Sequence, residues 1–341
     1  MRIAVDTHGS AEYKNFIFET FKKITADHPE HTFIFIFDKS PDSSFIFSEN
    51  LIAEVVGRSS ITLLSQLKFT SILKRYKADV FVTGEAVKSN VPQCLIAFDN
   101  ITHKSLNQAD TVITTSEFYK KELIGKYKAD ENKIEIVCNG VSDIFQPIAF
   151  EERESIKEMY ADGNEYFLFT GEMDEKDGLL NLLKAFSIFK KRQKSSMQLM
   201  LAFRQSASKE FLQNLQSFRF KDDVKVLQNI NEENLPHITA SAYVLINPFS
   251  YKYFSIPPLE AMKCHVPVIT SDKGGLPESC GNAALYTNAD DINDIAEKMM
   301  LIFKDENLRT DLINKGKEQI KKFSWDRTAK QLWQAIIKTA G

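Results

Sequence analysis

The chain of 341 residues is 43% hydrophobic and 26% charged, with a formal net charge of -3 and a pI near 6.1. That length and balance suit a soluble globular protein of two ordinary domains and exclude the strongly basic character of a nucleic-acid binder. The four cysteines (Cys94, Cys138, Cys264, Cys280) form no close-spaced pair and the histidines do not cluster with them, so no disulfide framework, metal site or other cofactor is expected.

A reducing cytoplasm is then the default compartment. No stretch approaches the roughly 18 apolar residues that span a bilayer, and the chain enters its first strand without an apolar leader. Lysine-rich runs at 190–194 and 315–322 read as solvated helix faces, with contact to an anionic membrane surface as the alternative. The expectation is a cytoplasmic protein whose only membrane contact would be peripheral, at the inner membrane.

In chain order, a strand at 3–5 runs into Asp6-Thr7-His8-Gly9-Ser10. A helix over 13–26 follows, because Phe16, Ile17, Thr20, Phe21 and Ile24 recur at helical spacing. A strand at 32–37, a Ser/Pro/Asp loop at 39–44 and a helical stretch near 60–77 come next, then strands at 80–83, 93–98 and 109–116. Ser116 reads as the N-cap of a helix over 117–126, and a strand at 134–137 closes on the turn pair Asn139-Gly140. A charged connector helix at 151–163 separates the halves. The second half alternates strand 166–170 with helix 178–192, strand 198–203 with helix 208–218, and strand 224–227 with helix 232–240. Helices at 289–303 and from 306, and an amphipathic helix after Phe323-Ser324-Trp325, end the chain. Such alternation on both sides of a connector predicts an α/β protein of two Rossmann-like domains.

The densest signal lies at 247–278, NPFSYKYFSIPPLEAMKCHVPVITSDKGGLPE. An apolar strand at 242–249 runs into a polar, aromatic loop, and a helix starts at Pro257-Pro258, where a fixed φ and a missing N–H cost least. A buried strand at 266–270 follows, then Gly274-Gly275. The two loops of this βαβ unit meet at one sheet edge, where open α/β sheets bind ligands. Glu260 falls in the first helical turn, where the dipole favours a carboxylate and its oxygens could accept from both hydroxyls of a ribose. A simple helix-terminal charge is the alternative. Gly274, Gly275 and Leu276 could turn backbone N–H groups toward a sugar or phosphate, or form a plain turn.

Through Phe254, Pro257, Pro258, Leu259, Glu260, Ala261, Met262, Pro267, Val268, Gly274, Gly275, Leu276, Pro277 and Glu278, the stretch resembles the donor-binding signature of family 4 (group 1) retaining glycosyltransferases. That family has the GT-B fold. The resemblance implies two Rossmann-like domains with parallel sheets facing a central cleft: an acceptor domain at 1–150, joined by a crossing helix at 326–341, and a donor domain at 151–325. It implies metal-independent transfer of a hexose from a nucleotide sugar to a glycan or lipid-linked acceptor with retention, Glu260 holding the ribose. Ala109-Asp110, Ser116-Glu117-Phe118 and Asn139-Gly140-Val141 resemble the family's acceptor domain, and Phe323-Ser324-Trp325 the segment that crosses back.

The departures are specific. The first glutamate of the family's pair falls on Lys252, and two glycines fall on Tyr253 and Ser255. The arginine and lysine that grip the diphosphate fall on Glu172 and Asp177, with Lys176 one residue out of register. Two lost charge-assisted bonds and an added carboxylate amount to about 4–6 kcal/mol, or roughly three to four decades in affinity. The opposite changes of sign at Glu172 and Lys252 suggest that the two side chains pair, or that Lys252 itself takes the phosphate. In the first half a His-Asp pair becomes Phe98-Asp99, leaving His103 or His8 to take over. Of the family's glycine-rich first loop only Gly9 remains, and His265, at a family glycine, reads as a cationic helix cap.

Three readings follow. In the first, an active transferase places Glu260, Lys176, Lys252, Gly274, Gly275, Leu276 and Gly9 on the nucleotide sugar, with Asp99, Lys252 or His103 at catalytic positions. In the second, a degenerate member binds a glycan, a nucleotide or a partner glycosyltransferase. The third, a sugar-phosphate isomerase or epimerase, should carry more glycine after its first strand than residues 6–9 hold.

Overall fold

The structure is a computed structural model that describes residues 1–41, 48–57, 63–98, 101–171, 176–248 and 255–341, the side chains at 63–66 and 176–177 excepted. The chain divides into two units, 1–140 with 323–341, and 141–322. The change of unit comes ten residues before the charged connector, because Lys263 ties residues 141 and 143 down: its Nζ donates to the Val141 carbonyl at 3.1 Å and pairs with Asp143 at 2.6 Å.

In the first unit, β1 (Arg2–Asp6), α1 (Ala11–Asp27), β2 (Thr32–Phe37), β3 (Leu51–Val55), α2 (Leu63–Tyr76), β4 (Val80–Thr83) and β5 (Gln93–Ile96) are followed by α3 (His103–Gln108), β6 (Thr111–Thr114), α4 (Glu117–Tyr127) and β7 (Ile134–Ile136). The second unit runs α5 (Phe150–Ala161), β8 (Tyr166–Gly171), α6 (Lys176–Gln193), β9 (Gln198–Phe203), α7 (Lys209–Gln216), β10 (Val224–Leu227), α8 (Asn234–Ala240) and β11 (Val244–Asn247). It continues through α9 (Ile256–Lys263), β12 (Val268–Ser271), α10 (Leu276–Cys280), β13 (Ala284–Thr287), α11 (Ile292–Lys304) and α12 (Glu306–Ile320). The terminal α13 (Trp325–Ala340) belongs to the first unit.

Both sheets are parallel, in the orders β3-β2-β1-β4-β5-β6-β7 and β10-β9-β8-β11-β12-β13. Strand order reverses between β1 and β4 in one and between β8 and β11 in the other, and a crevice opens beyond the strand ends at such switch points. The inner strands are largely apolar runs because helices cover both faces. Phe33 and Phe35 of β2, for example, are fully buried and meet Phe21 of α1 edge-on.

Three contacts fix α13 on the first unit. Trp325 lies so close over Gly140 that a Cβ there would stand 2.6 Å from its backbone nitrogen. The Thr328 hydroxyl donates to the Cys138 carbonyl at 2.7 Å, and Thr339 bonds Thr111 at 2.8 Å. Ser116 caps α4 as its sequence suggests, accepting from the Tyr119 N–H.

Lys190 departs from the solvated face assigned to its run. It is 7% exposed, donates to the Ser195 and Met197 carbonyls at 2.6 and 3.1 Å, and pairs with Asp223 at 3.0 Å. No helix among the described residues is long and apolar enough to cross a membrane.

Candidate functional site

In the second unit the site is built from the end of β11. Asn247 donates its side-chain N–H to the Ser255 hydroxyl at 3.0 Å, and its carbonyl accepts from Thr270 at 3.3 Å. This ties the strand end to the first residue after the loop. The Asn247 Oδ1 is buried with no hydrogen-bond partner among the described residues. Ser255, engaged in this way, does not cap α9 with its side chain. Pro257 and Pro258 make up for this, because neither brings an N–H that needs a partner.

Helix α9 starts at Ile256, so Glu260 sits in the second turn rather than the first. Help from the helix dipole fades beyond the first turn, and burial dominates. Leu259, Ala261 and Met262 are 0–1% exposed and Glu260 itself 7%. Burial pushes its carboxyl up to about 7, against the opposing pull of Arg204. Its carboxylate makes no hydrogen bond among the described residues, and its charged neighbour there is Arg204, Nη2 to Oε1 3.9 Å. A buried carboxylate without internal hydrogen bonds is costly to keep. Its free lone pairs suit hydroxyl donors from outside the protein.

Arg204 is the residue that sequence reasoning missed. It follows the apolar run of β9 directly, at the same sheet edge, and is 58% exposed. Strand order brings β9 beside β8, with Phe203 opposite Gly171, so Arg204 lies beside the end of β8. Nothing in spacing marks it, because the pairing with Glu260 spans 56 residues of chain and depends on the fold.

The other expected residues divide. Gly274 takes a left-handed φ of 68° and Gly275 precedes α10, and the N–H groups of 274–276 have no partner among the described residues. Leu276 is fully buried, so only its backbone faces outward chemistry. Asp99, Glu172 and Lys252, with the proposed Glu172–Lys252 pair, lie outside the described residues, as do the side chains of Lys176 and Asp177.

His103 opens α3 and tilts its ring against Tyr127 at 5.3 Å. Gly9 has a packing reason, since a Cβ would stand 2.6 Å from the Tyr13 ring. Phe98 is half-buried and packs against the first unit's core, meeting Tyr13 and Phe16 edge-on at 6.2 and 5.6 Å. His265 caps α9 through its backbone rather than as a cation. It takes a left-handed φ of 61° so that the Val266 N–H reaches the Ala261 carbonyl at 2.8 Å. Burial and then Lys317 lower its pKa, which opposes a charge.

Two parallel-sheet units with reversed strand order and a returning terminal helix define the GT-B class. A Rickettsia africae glycosyltransferase structure superposes with a TM-score of 0.81 at 17% identity, covering 99% of this chain and 98% of that one. An Anabaena HepE structure in complex with UDP and glucose superposes at 0.75 and 13% identity, covering 99% of this chain and all of that one. Residues 150–319 match the glycosyl transferases group 1 model. Through this unit the chain belongs to the group 1 glycosyltransferases. The O-antigen chain mannosyltransferase B of Escherichia coli is 26% identical over 231 residues, 67% of this chain and 61% of that relative. The match thus spans about three fifths of that relative's length.

Proposed function

We propose that the second unit binds the nucleoside diphosphate of a sugar donor, and that the chain transfers a hexose with retention to a glycan or lipid-linked acceptor held by the first unit. The observation that carries this is Glu260: a buried carboxylate with open lone pairs, beyond the switch-point strand β11 of a group 1 domain. In this reading its two oxygens accept from the ribose hydroxyls. Arg204 turns from Glu260 to the diphosphate and replaces the cations lost at 172 and 177. The N–H groups at 274–276 face the sugar or phosphate. Mannosyl transfer by the Escherichia coli relative and the UDP held by Anabaena HepE support the substrate class.

Among the described residues no three His, Cys, Asp or Glu side chains gather into a metal-binding group, and the reading assigns the diphosphate charge to Arg204. The apolar ring of Phe98, set against Tyr13 and Phe16, favours a second reading, in which the second unit binds nucleotide without turnover.

Incubation with UDP-, GDP- and ADP-hexoses, followed by proton NMR of the anomeric signals, separates the two. Release of nucleoside diphosphate, with the sugar appearing first in the donor's own configuration, is the expected result. An inverted first product would overturn retention, and binding with no transfer of the hexose to water or to an added mannoside acceptor would favour the second reading.

A further inference from the structure

The first unit carries a polar group at the topological place that corresponds to the Glu260 site. Asp6 ends β1 and Thr83 ends β4, the two strands between which the order reverses and where open α/β sheets seat ligands. Asp6 is 1% exposed. Its Oδ1 accepts from the His8 backbone N–H at 3.0 Å and lies 2.6 Å from His8 Nδ1, and its Oδ2 lies 3.1 Å from the Thr83 hydroxyl, whose one proton it shares with the Glu85 carbonyl at 2.9 Å. The His8 ring stands edge-on to Phe69, centroids 5.6 Å apart, and keeps 20% of its side chain exposed.

This arrangement fixes the tautomer. With the Nδ1 proton directed at Asp6, the neutral ring presents Nε2 as an acceptor, and Nε2 has no partner among the described residues. A buried carboxylate spent on aiming one half-buried imidazole is not what packing asks for, since apolar residues of like volume fill such a place at lower cost.

The surrounding charge decides what fits. Asp38 and Lys14 act on His8, and Glu85, with the exposed Lys104 near it, senses Asp6. Burial lowers the His8 pKa, but the bond and charge of Asp6, with Asp38, outweigh it and leave it raised. Carboxylates at Asp6, Asp38 and Glu85 oppose a phosphate at this place and leave a neutral ligand with a hydroxyl to donate.

We infer that His8, aimed by Asp6, binds a hydroxyl of a neutral sugar through Nε2, and that this position excludes a phosphorylated one. Calling that sugar the acceptor rests on the transferase reading; the site itself does not. Asp6 is a positioning residue that acts through His8.

The test is a nitrogen-15 spectrum of the histidine rings at about pH 8, above the range of an ordinary imidazole. Methyl α-D-mannopyranoside and methyl α-D-glucopyranoside are titrated against inorganic phosphate. A saturable shift of the His8 Nε2 signal with a hexoside, none with phosphate, and loss of the response in His8→Gln are expected. Thr83→Val, which frees one Asp6 oxygen while keeping the side-chain shape, should weaken hexoside binding several-fold with the Nδ1–H tautomer intact. No His8 shift with either hexoside, or a shift with phosphate, overturns the inference. UDP added to the same sample keeps the two proposals apart: UDP binding without a hexoside response rejects only this one, whereas a hexoside response without UDP binding rejects the donor site.

Discussion

Glu260→Gln is expected to stabilise the protein above neutral pH by up to about 3 kcal/mol and to change nothing near pH 4.5. Burial raises this carboxyl from 4.5 to about 7, and each tenfold change in proton affinity is worth about 1.4 kcal/mol. The sign follows from proton linkage. Between those two values the folded chain holds a proton that the unfolded chain has released, so stability falls as pH rises through the window. Above it the full cost of a buried charge is present. A glutamine is neutral throughout, and Arg204, 58% exposed, loses little when its partner is gone. Urea midpoints of the two proteins at about pH 5 and pH 8 measure the effect. Equal differences at both values would show that the carboxylate is not held against its own solvation. A residue that costs stability in this way fits a role in binding.

The second large effect is at the foot of α13. Gly140→Ala puts a Cβ 2.5 Å from Trp325 Cδ2 and 2.6 Å from the Trp325 backbone nitrogen. A side chain could rotate away, but a backbone nitrogen moves only with its helix. Trp325, Ala329, Leu332 and Ile336 of α13 are part of the first unit's core, so displacing the helix opens that core. The expected loss is about 3 kcal/mol or more, seen as a fall of roughly 5–10 °C in the melting of the first unit. Gly125→Ala is the control. Its Cβ meets nothing within 4 Å on the exposed side of α4, and alanine there should gain about 1 kcal/mol. Equal and small changes in both variants would contradict the packing described for α13.

What the sequence shows clearly is the alternation. Strands such as 32–37, 80–83 and 198–203 coincide with β2, β4 and β9, because an inner strand of a parallel sheet covered on both faces leaves an apolar run. Four elements escape it, and each for a local reason. β3 is an edge strand with most of its side chains partly exposed, and β13 is four residues long. α3 is six residues of mostly polar character, and α10 is a single turn after Gly-Gly. The site divides in the same way. Glu260 is marked by its βαβ setting, and the family motif names it. Arg204, Asp6 and Thr83 are not marked, because they acquire partners only when strands distant in sequence come side by side. The resemblance implies a histidine where Phe98 stands, and only the rings of Tyr13 and Phe16 beside it show why phenylalanine is stable there.

The donor site is tested most directly by calorimetric titration of the wild type, Glu260→Ala and Arg204→Ala with UDP, GDP and ADP and with the matching nucleosides. One nucleoside diphosphate should bind the wild type in the micromolar range. Glu260→Ala should weaken that nucleotide and its nucleoside alike, by about a hundredfold for two lost charge-assisted bonds. Arg204→Ala should weaken the diphosphate by roughly tenfold to a hundredfold and leave the nucleoside unchanged. Failure of all three nucleotides to bind the wild type, or equal binding by Glu260→Ala, would contradict the account.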